Sequence, residues 1–351
     1  MPAARRAFIY AKSCGIFARS LLFKRSEEIA ALTSLDAFAA LLRREMAEPA
    51  PPVHGEPALL TLERMIREHT DKQISRLLSL FSAGAAPPPL LAALARKQEA
   101  AGLSQALAAL AAGETECPPQ SNQRKPCSRR GCVHFDAYPD MRGMLKGSPY
   151  ASLLALQKKL SLSEKPLYYQ AELEKAYWNY VYSALENTPF SDRVIITKMI
   201  HSEIALQNAV WALRLRVYYN FDAEETQRFF VRIKPAKNYP SVDYAARQSL
   251  SYDTGHYAAW QHWKYASFLN PEMPGQIWQA DPRFFQNNAA LYLTEMARKS
   301  FHRQPFTLDS AACFIYLKRA EERALTGISE ALALGIPPAE VLGSFRGKAA
   351  A

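Results

Sequence analysis

The chain has little glycine, 14 in 351 residues, and almost no strict alternation of Val, Ile or Thr. The missing alternation argues against half-buried strands. Its five cysteines, an odd number, argue against a secreted disulfide scaffold. No apolar run reaches about 18 residues, so no membrane span is expected. The N-terminal stretch carries early positive charges, but Lys12 and Arg19 interrupt its apolar part, so it does not read as a signal peptide. There is no G-x-x-x-x-G-K-[ST], no G-x-G-x-x-G and no G-x-S-x-G. The sequence therefore shows no phosphate-cradling loop and no visible means of hydrolysing ATP. A soluble, cytoplasmic, non-catalytic protein without cofactors is the expectation.

What is present is Ala and Leu in helical spacing. Hydrophobic residues make up 49% and charged residues 22%, a globular balance. Proline gathers at a few places that read as helix boundaries. An all-α fold follows. The formal net charge is +10. A basic balance suits nucleic acid, an anionic membrane surface or an acidic protein partner. The basic residues are scattered through helices rather than gathered in a block, which reads as solubility charge.

In chain order, residues 6–23 read as a helix, followed by one capped by Ser26 and one capped by Ser34 or Thr33. Residues 49–57 form a proline-rich linker. A long helix runs from Ala58 to Phe81 and an alanine-rich one from Leu90 to Ala112. Residues 114–150 have no helical period and read as a polar insertion. Pro166 opens the next helix. Ser191 and Asp192 cap the one after it, which carries Glu203 and Asn208. Asp222 marks another cap, and short helices fill the region to Asn288. The interleaved Tyr252, Tyr257, Trp260, Trp263 and Tyr265 read as an aromatic helix packing on its neighbours.

A weak repeat is visible. Glu63, Glu174 and Glu295 lie near the starts of helices followed by turns. Glu99, Glu203 and Glu322 lie in second helices, about a hundred residues apart, as in a repeated helical array. The expected divisions are 1–115, a first helical unit; 116–150, the Cys-containing insertion; 151–240, a second unit; and 241–351, a third.

Residues 311–342 are the most strongly patterned. Phe314, Leu317, Ala324, Leu325, Ile328 and Leu332 make one apolar face, with Glu321 on it. Lys318, Arg319, Glu322 and Arg323 decorate the flanks. Gly335 ends the helix, and Pro337-Pro338 prevents its continuation. This helix followed by G-I-P-P-A-E-V resembles the C-terminal end of the central-stalk subunit of rotary V/A-type ATPases, called C in archaeal-type and d in eukaryotic enzymes. Tyr10-Ala11-Lys12, Arg19-Ser20-Leu21-Leu22 and the helix from Ser34 to Glu45 resemble that family as well. So does the helix from Glu203 to Arg216.

The resemblance implies three related helical bundles arranged as a funnel. It also implies a peripheral rotor part that joins the membrane ring of proteolipid subunits to central-shaft subunits of the D and F types. That part passes torque between ATP hydrolysis or synthesis and proton or sodium translocation, and meets the membrane only through the ring. A helical-repeat scaffold unrelated to rotary ATPases is the alternative.

Cys117, Cys127, Cys132 and His134 could serve zinc, but nine and four residues separate the cysteines and no C-x-x-C exists. His256 and His262, near Asp253, could ligate a metal or act as a base; the aromatic interleaving favours a core or interface instead. It also brings nucleic-acid stacking to mind, but no recognisable module supports that. Asn208 falls in an apolar stripe with Ile200, Ile204, Trp211 and Leu215, so it needs a partner and can fix helix register. Glu203 and Glu321 read the same way, paired with Arg214, Arg216 or Arg319. These positions, with Glu322, are architectural rather than catalytic.

Overall fold

The computed structural model describes residues 3–46, 57–82, 86–118, 133–233 and 239–346. Among the described residues it is all α-helix, short 3-10 turns and irregular chain, with no strand. The helices in chain order are α1 (Ala3–Phe17), α2 (Leu21–Lys24), α3 (Ser26–Ala30), α4 (Leu35–Glu45), α5 (Ala58–Ser82), α6 (Pro89–Ala95) and α7 (Lys97–Ala111). Then come α8 (Met141–Met144), α9 (Ser152–Gln157), α10 (Pro166–Glu186), α11 (Val194–Tyr219), α12 (Ala223–Gln227) and α13 (Tyr244–Ser249). The last are α14 (Pro282–Phe301), α15 (Leu308–Ala333) and α16 (Pro338–Arg346).

Local chemistry explains several boundaries. Ser34 Oγ accepts from Ala37 N at 3.2 Å and starts α4. Asp222 Oδ1 accepts from Glu225 N at 2.8 Å and starts α12. Pro166 opens α10, where its missing N–H costs nothing. Gly335, at φ +73°, turns the chain out of α15. Other expected caps lie elsewhere. Ser26 is the first residue of α3, behind Arg25, and Asp192 belongs to a 3-10 turn, so Arg193 stands before α11. The helix expected over 6–23 breaks at 18–20, and the alanine-rich one breaks at Arg96. The proline-rich stretch 49–57 lies outside the described residues except for Pro57.

The chain divides into two compact units, Met1–Leu91 with Ala290–Ala351, and Ala92–Ala289. In the first, both ends of the chain close on one another. Helix α15 packs against α1, α2, α4, α5 and α16. Its predicted apolar face is buried throughout, and Leu325, Ile328 and Leu332 join Phe38, Leu42 and Ile66 in one core. In the second, α7 packs on α10, and α13 lies along α11. Trp211, Leu215, Phe229 and Phe230 form a core there.

The aromatic stretch 252–265 is not a helix. It is a chain of bends and 3-10 turns. Its rings are nonetheless core. Trp260 is fully buried, and Trp263 stacks on Phe285 at 5.4 Å. The indoles hold the irregular backbone: Trp260 Nε1 donates to Asp253 O at 2.7 Å and Trp263 Nε1 to Ala245 O at 2.8 Å. Buried backbone oxygens that no helix satisfies are satisfied by side chains instead.

Candidate functional site: two buried polar networks

In the first unit the polar residues of α15 are inside, not on a solvated flank. Lys318 is 2% exposed, Arg319 9%, and Glu321 and Glu322 each 7%. Only Arg323 of the expected flank is exposed. The reason is tertiary, because α15 has neighbours on several sides and little of its circumference is left for water. Each buried charge then needs a partner.

Glu321 is held by three donors. Ser20 Oγ and Leu21 N both donate to its Oε1 at 2.7 Å, and Lys318 Nζ pairs with its Oε2. Ser20 precedes α2 but makes no cap bond of its own. A carboxylate from α15 therefore caps α2 from outside, where the helix dipole favours negative charge. Arg319 forms the second half of the network. Its guanidinium donates to Glu322 and to Asp71 of α5, each at 2.7 Å. Burial would lower the Arg319 pKa, but Asp71 and Glu322 outweigh that and keep it firmly charged.

His69, two residues before Asp71 on α5, lies close to the Lys318 and Glu321 charges. Burial first, and the Lys318 charge second, push its pKa down to about 4. Its Nε2 meets Gln73 Nε2 at 2.5 Å. An amide nitrogen only donates, so the ring nitrogen accepts, which agrees with a neutral imidazole.

In the second unit the polar groups of α11 reach outward to irregular chain. Asn208 is fully buried. Its Oδ1 accepts from Val231 N at 2.8 Å, and its Nδ2 donates to Val231 O at 2.9 Å and Val242 O at 3.2 Å. One side-chain amide thus pairs Val231 much as a neighbouring strand would. Arg216 donates to Ser249 O at 2.8 Å and Tyr252 O at 2.7 Å. Arg214 rests over the Trp211 ring, 6.0 Å from its centroid.

The acid at the centre of this network is Glu174 on α10. Trp211 Nε1 donates to it at 2.6 Å, and Gln207 Nε2 reaches both its oxygens at 3.2 and 3.3 Å. Burial raises its pKa against those donors and against Lys97 and Arg214. Glu203 pairs with Lys97 of α7, whose ammonium lies over the Trp178 ring. Spacing marks Glu174 only as one of three acids of the weak repeat, because its partners are 33 and 37 residues away on another helix.

The remaining candidates are dispersed. Cys127 and Cys132 lie outside the described residues. Cys117 is partly buried and His134 exposed, and His256 and His262 are both exposed. No group of three or more His, Cys, Asp or Glu capable of holding a metal ion occurs among the described residues. Glu99 accepts from Val133 N, and His134 N donates to Met144 O at 2.9 Å. No described helix is long and apolar enough to cross a membrane.

The geometry is that of charged groups spent on holding helices and loops together. A protein of Treponema pallidum (strain Nichols), named only as an uncharacterized protein, is 25% identical over 350 residues, covering 96% of each chain. The family model described as ATP synthase (C/AC39) subunit matches residues 26–343. The chain belongs to that family, the C/d-type subunits of V/A-type ATPases.

Proposed function

We propose that this chain is a non-catalytic central-stalk subunit of a V/A-type ATPase or ATP synthase. It stands between the membrane ring of proteolipid subunits and the central shaft, and passes torque between ATP turnover and proton or sodium movement. It is held at the cytoplasmic face through the ring, without a membrane segment of its own. The observation that carries this reading is the family match over residues 26–343.

The buried networks support it physically. A part that transmits torque must resist shear between its helices. Side chains that cross-link α15 to α2 and α5, and α11 to α7 and α10, stiffen such a body. The reading includes three related helical units in 1–115, 151–240 and 241–351, arranged as a funnel, with 116–150 inserted. Glu99, Glu203 and Glu322 support that repeat, since all three lie on helices and are held by Val133 N, Lys97 and Arg319.

Native mass spectrometry of the chain mixed with the D-type and F-type shaft subunits of the same organism tests it. A one-to-one-to-one complex is expected. Failure to bind either the shaft pair or the isolated ring would overturn the rotor role in favour of a scaffold for other proteins.

A further inference from the structure

Among the described residues, one end of the first unit is built without acidic side chains. Arg5 of α1 donates to Leu80 O, near the end of α5, at 2.9 and 3.1 Å, and Arg6 donates to Phe306 O at 3.3 Å. The Tyr10 ring lies 5.8 Å from Phe301 and 6.0 Å from Phe306. These contacts gather α1, residues 72–82 of α5 and residues 296–308. The three stretches hold three, two and three Lys or Arg, and no Asp or Glu. The acids nearest to them are already engaged. Asp309 is fully buried, Glu295 pairs with Arg298 and Lys299, and Asp71 and Glu321 pair with Arg319 and Lys318. The opposite end differs. Helices α5 and α15 run antiparallel, since Asp71 meets Arg319 while Glu63 faces Glu330. That far end carries Glu63 and Glu330. It also carries Glu28 and Glu45, on the α3 and α4 helices packed against Leu325 and Ile328.

At the acid-free end Lys12, Arg76 and Arg303 are exposed. So are two phenylalanines, Phe8 at 50% and Phe306 at 52%. Lys12 Nζ lies over the Phe8 ring, 5.6 Å from its centroid. Cations with exposed rings beside them suit the boundary between charged headgroups and acyl chains, where the cation stays among the headgroups and the ring goes beneath them. The cations belong to three separate segments, so they present a broad field rather than a shaped socket. A plane of anionic headgroups answers such a field with no register to match, and each Lys or Arg near it strengthens binding about fivefold. A second copy of the chain would bring like charge to the same place and be repelled.

We propose that this end of the first unit rests on an anionic bilayer, with Lys12, Arg76 and Arg303 among the headgroups and Phe8 and Phe306 at the acyl boundary. This contact rests on the rotor reading for the nearness of a membrane. The full chain is mixed with vesicles of phosphatidylcholine alone, or of phosphatidylcholine and phosphatidylglycerol in equal parts, and the bound fraction is read by flotation. Binding is expected only on the anionic vesicles at about 0.1 M salt. It should be lost at about 1 M, where screening shortens from about 10 Å to about 3 Å. Lys12→Gln, Arg76→Gln and Arg303→Gln should each lower partition about fivefold. Their melting temperatures should not move, because the side chains are exposed. Lys146→Gln and Lys159→Gln, exposed in the second unit, remove the same charge and should leave partition unchanged. Equal weakening by these two would assign binding to net charge and overturn the lipid-facing end. Absence of binding to anionic vesicles would overturn it as well, and weakening of the shaft complex or of RNA binding by the first three variants would then name an acidic macromolecule as the partner. No vesicle binding with the shaft complex intact leaves the rotor reading standing. Vesicle binding without the shaft complex sinks the rotor reading while the lipid contact stands.

Discussion

Helices α11 and α15 are each 26 residues long, and each runs through the core of its own unit. They solve the problem of buried polar groups differently. Along α15 the solution is ionic: Lys318 with Glu321, and Arg319 with Glu322 and Asp71. Along α11 it is largely neutral or directed at backbone: Asn208 to Val231 and Val242, and Arg216 to Ser249 and Tyr252. The neighbours decide which. Helix α15 is surrounded by helices, whose interior backbone groups already bond within themselves, so apart from the Leu21 N–H at the start of α2 its charges pair with side chains. Helix α11 borders irregular chain at 228–233 and 239–243 and the turn after α13, whose N–H and C=O groups need partners.

The sharpest way to break that contrast is Lys318→Ala. It strips the ammonium from a buried carboxylate and should cost about 3–5 kcal/mol by chemical denaturation. Replacing both partners, Lys318→Met with Glu321→Met, should recover most of that, less the lost cap of α2. A double loss equal to the sum of the Lys318→Met and Glu321→Met losses would show that the pair is not coupled.

Next comes Asn208→Ala, which leaves Val231 and Val242 groups unbonded. It should cost about 2–3 kcal/mol. The Val231 amide should lose its hydrogen-exchange protection while α15 keeps its own. Uniform loss across both units would contradict a local role.

His201 offers the opposite sign. It is 5% exposed, packed against Tyr182 and Tyr239, and neither ring nitrogen has a hydrogen-bond partner. Burial lowers its pKa. Replacing the imidazole by an apolar ring removes an unsatisfied group. His201→Phe should therefore stabilise by about 1 kcal/mol, read as a higher melting temperature. A fall would mean the nitrogens are served by water.

A further effect separates the units by pH. His69 has its pKa lowered from 6.5 to about 4, so the unfolded chain binds more protons between those values. The stability this group contributes is complete above about pH 6.5 and is lost as pH falls toward about 4. His69→Gln should flatten the stability profile in that window, compared with the unsubstituted chain, in urea titrations at pH 7 and pH 4.5. An unchanged slope would show that burial and the Lys318 charge do not hold His69 neutral.

Much of this was legible in the chain alone. The period of Phe314, Leu317, Leu325, Ile328 and Leu332, the caps at Ser34 and Asp222, and the stop at Gly335 are local chemistry, and they lie where their spacing predicts. Asn208 betrayed itself as a polar residue in an apolar stripe. The stretch 252–265 misled because aromatic residues read as packing in any geometry, and here indole N–H groups, not a helical ladder, satisfy the backbone.

The sequence by itself determined that the chain is helical, where the long helices run and which face of each is apolar, since propensity, period and capping act over a few residues. Only the tertiary structure decided how many neighbours surround each helix. That number put Lys318, Arg319 and Glu322 inside rather than on a wet flank. It chose Ser20, Leu21 and Asp71 as partners some 250 to 300 residues away in sequence. It also turned Glu174 toward Trp211 and Gln207. Burial and pairing are properties of what surrounds a residue, and local spacing carries no record of that.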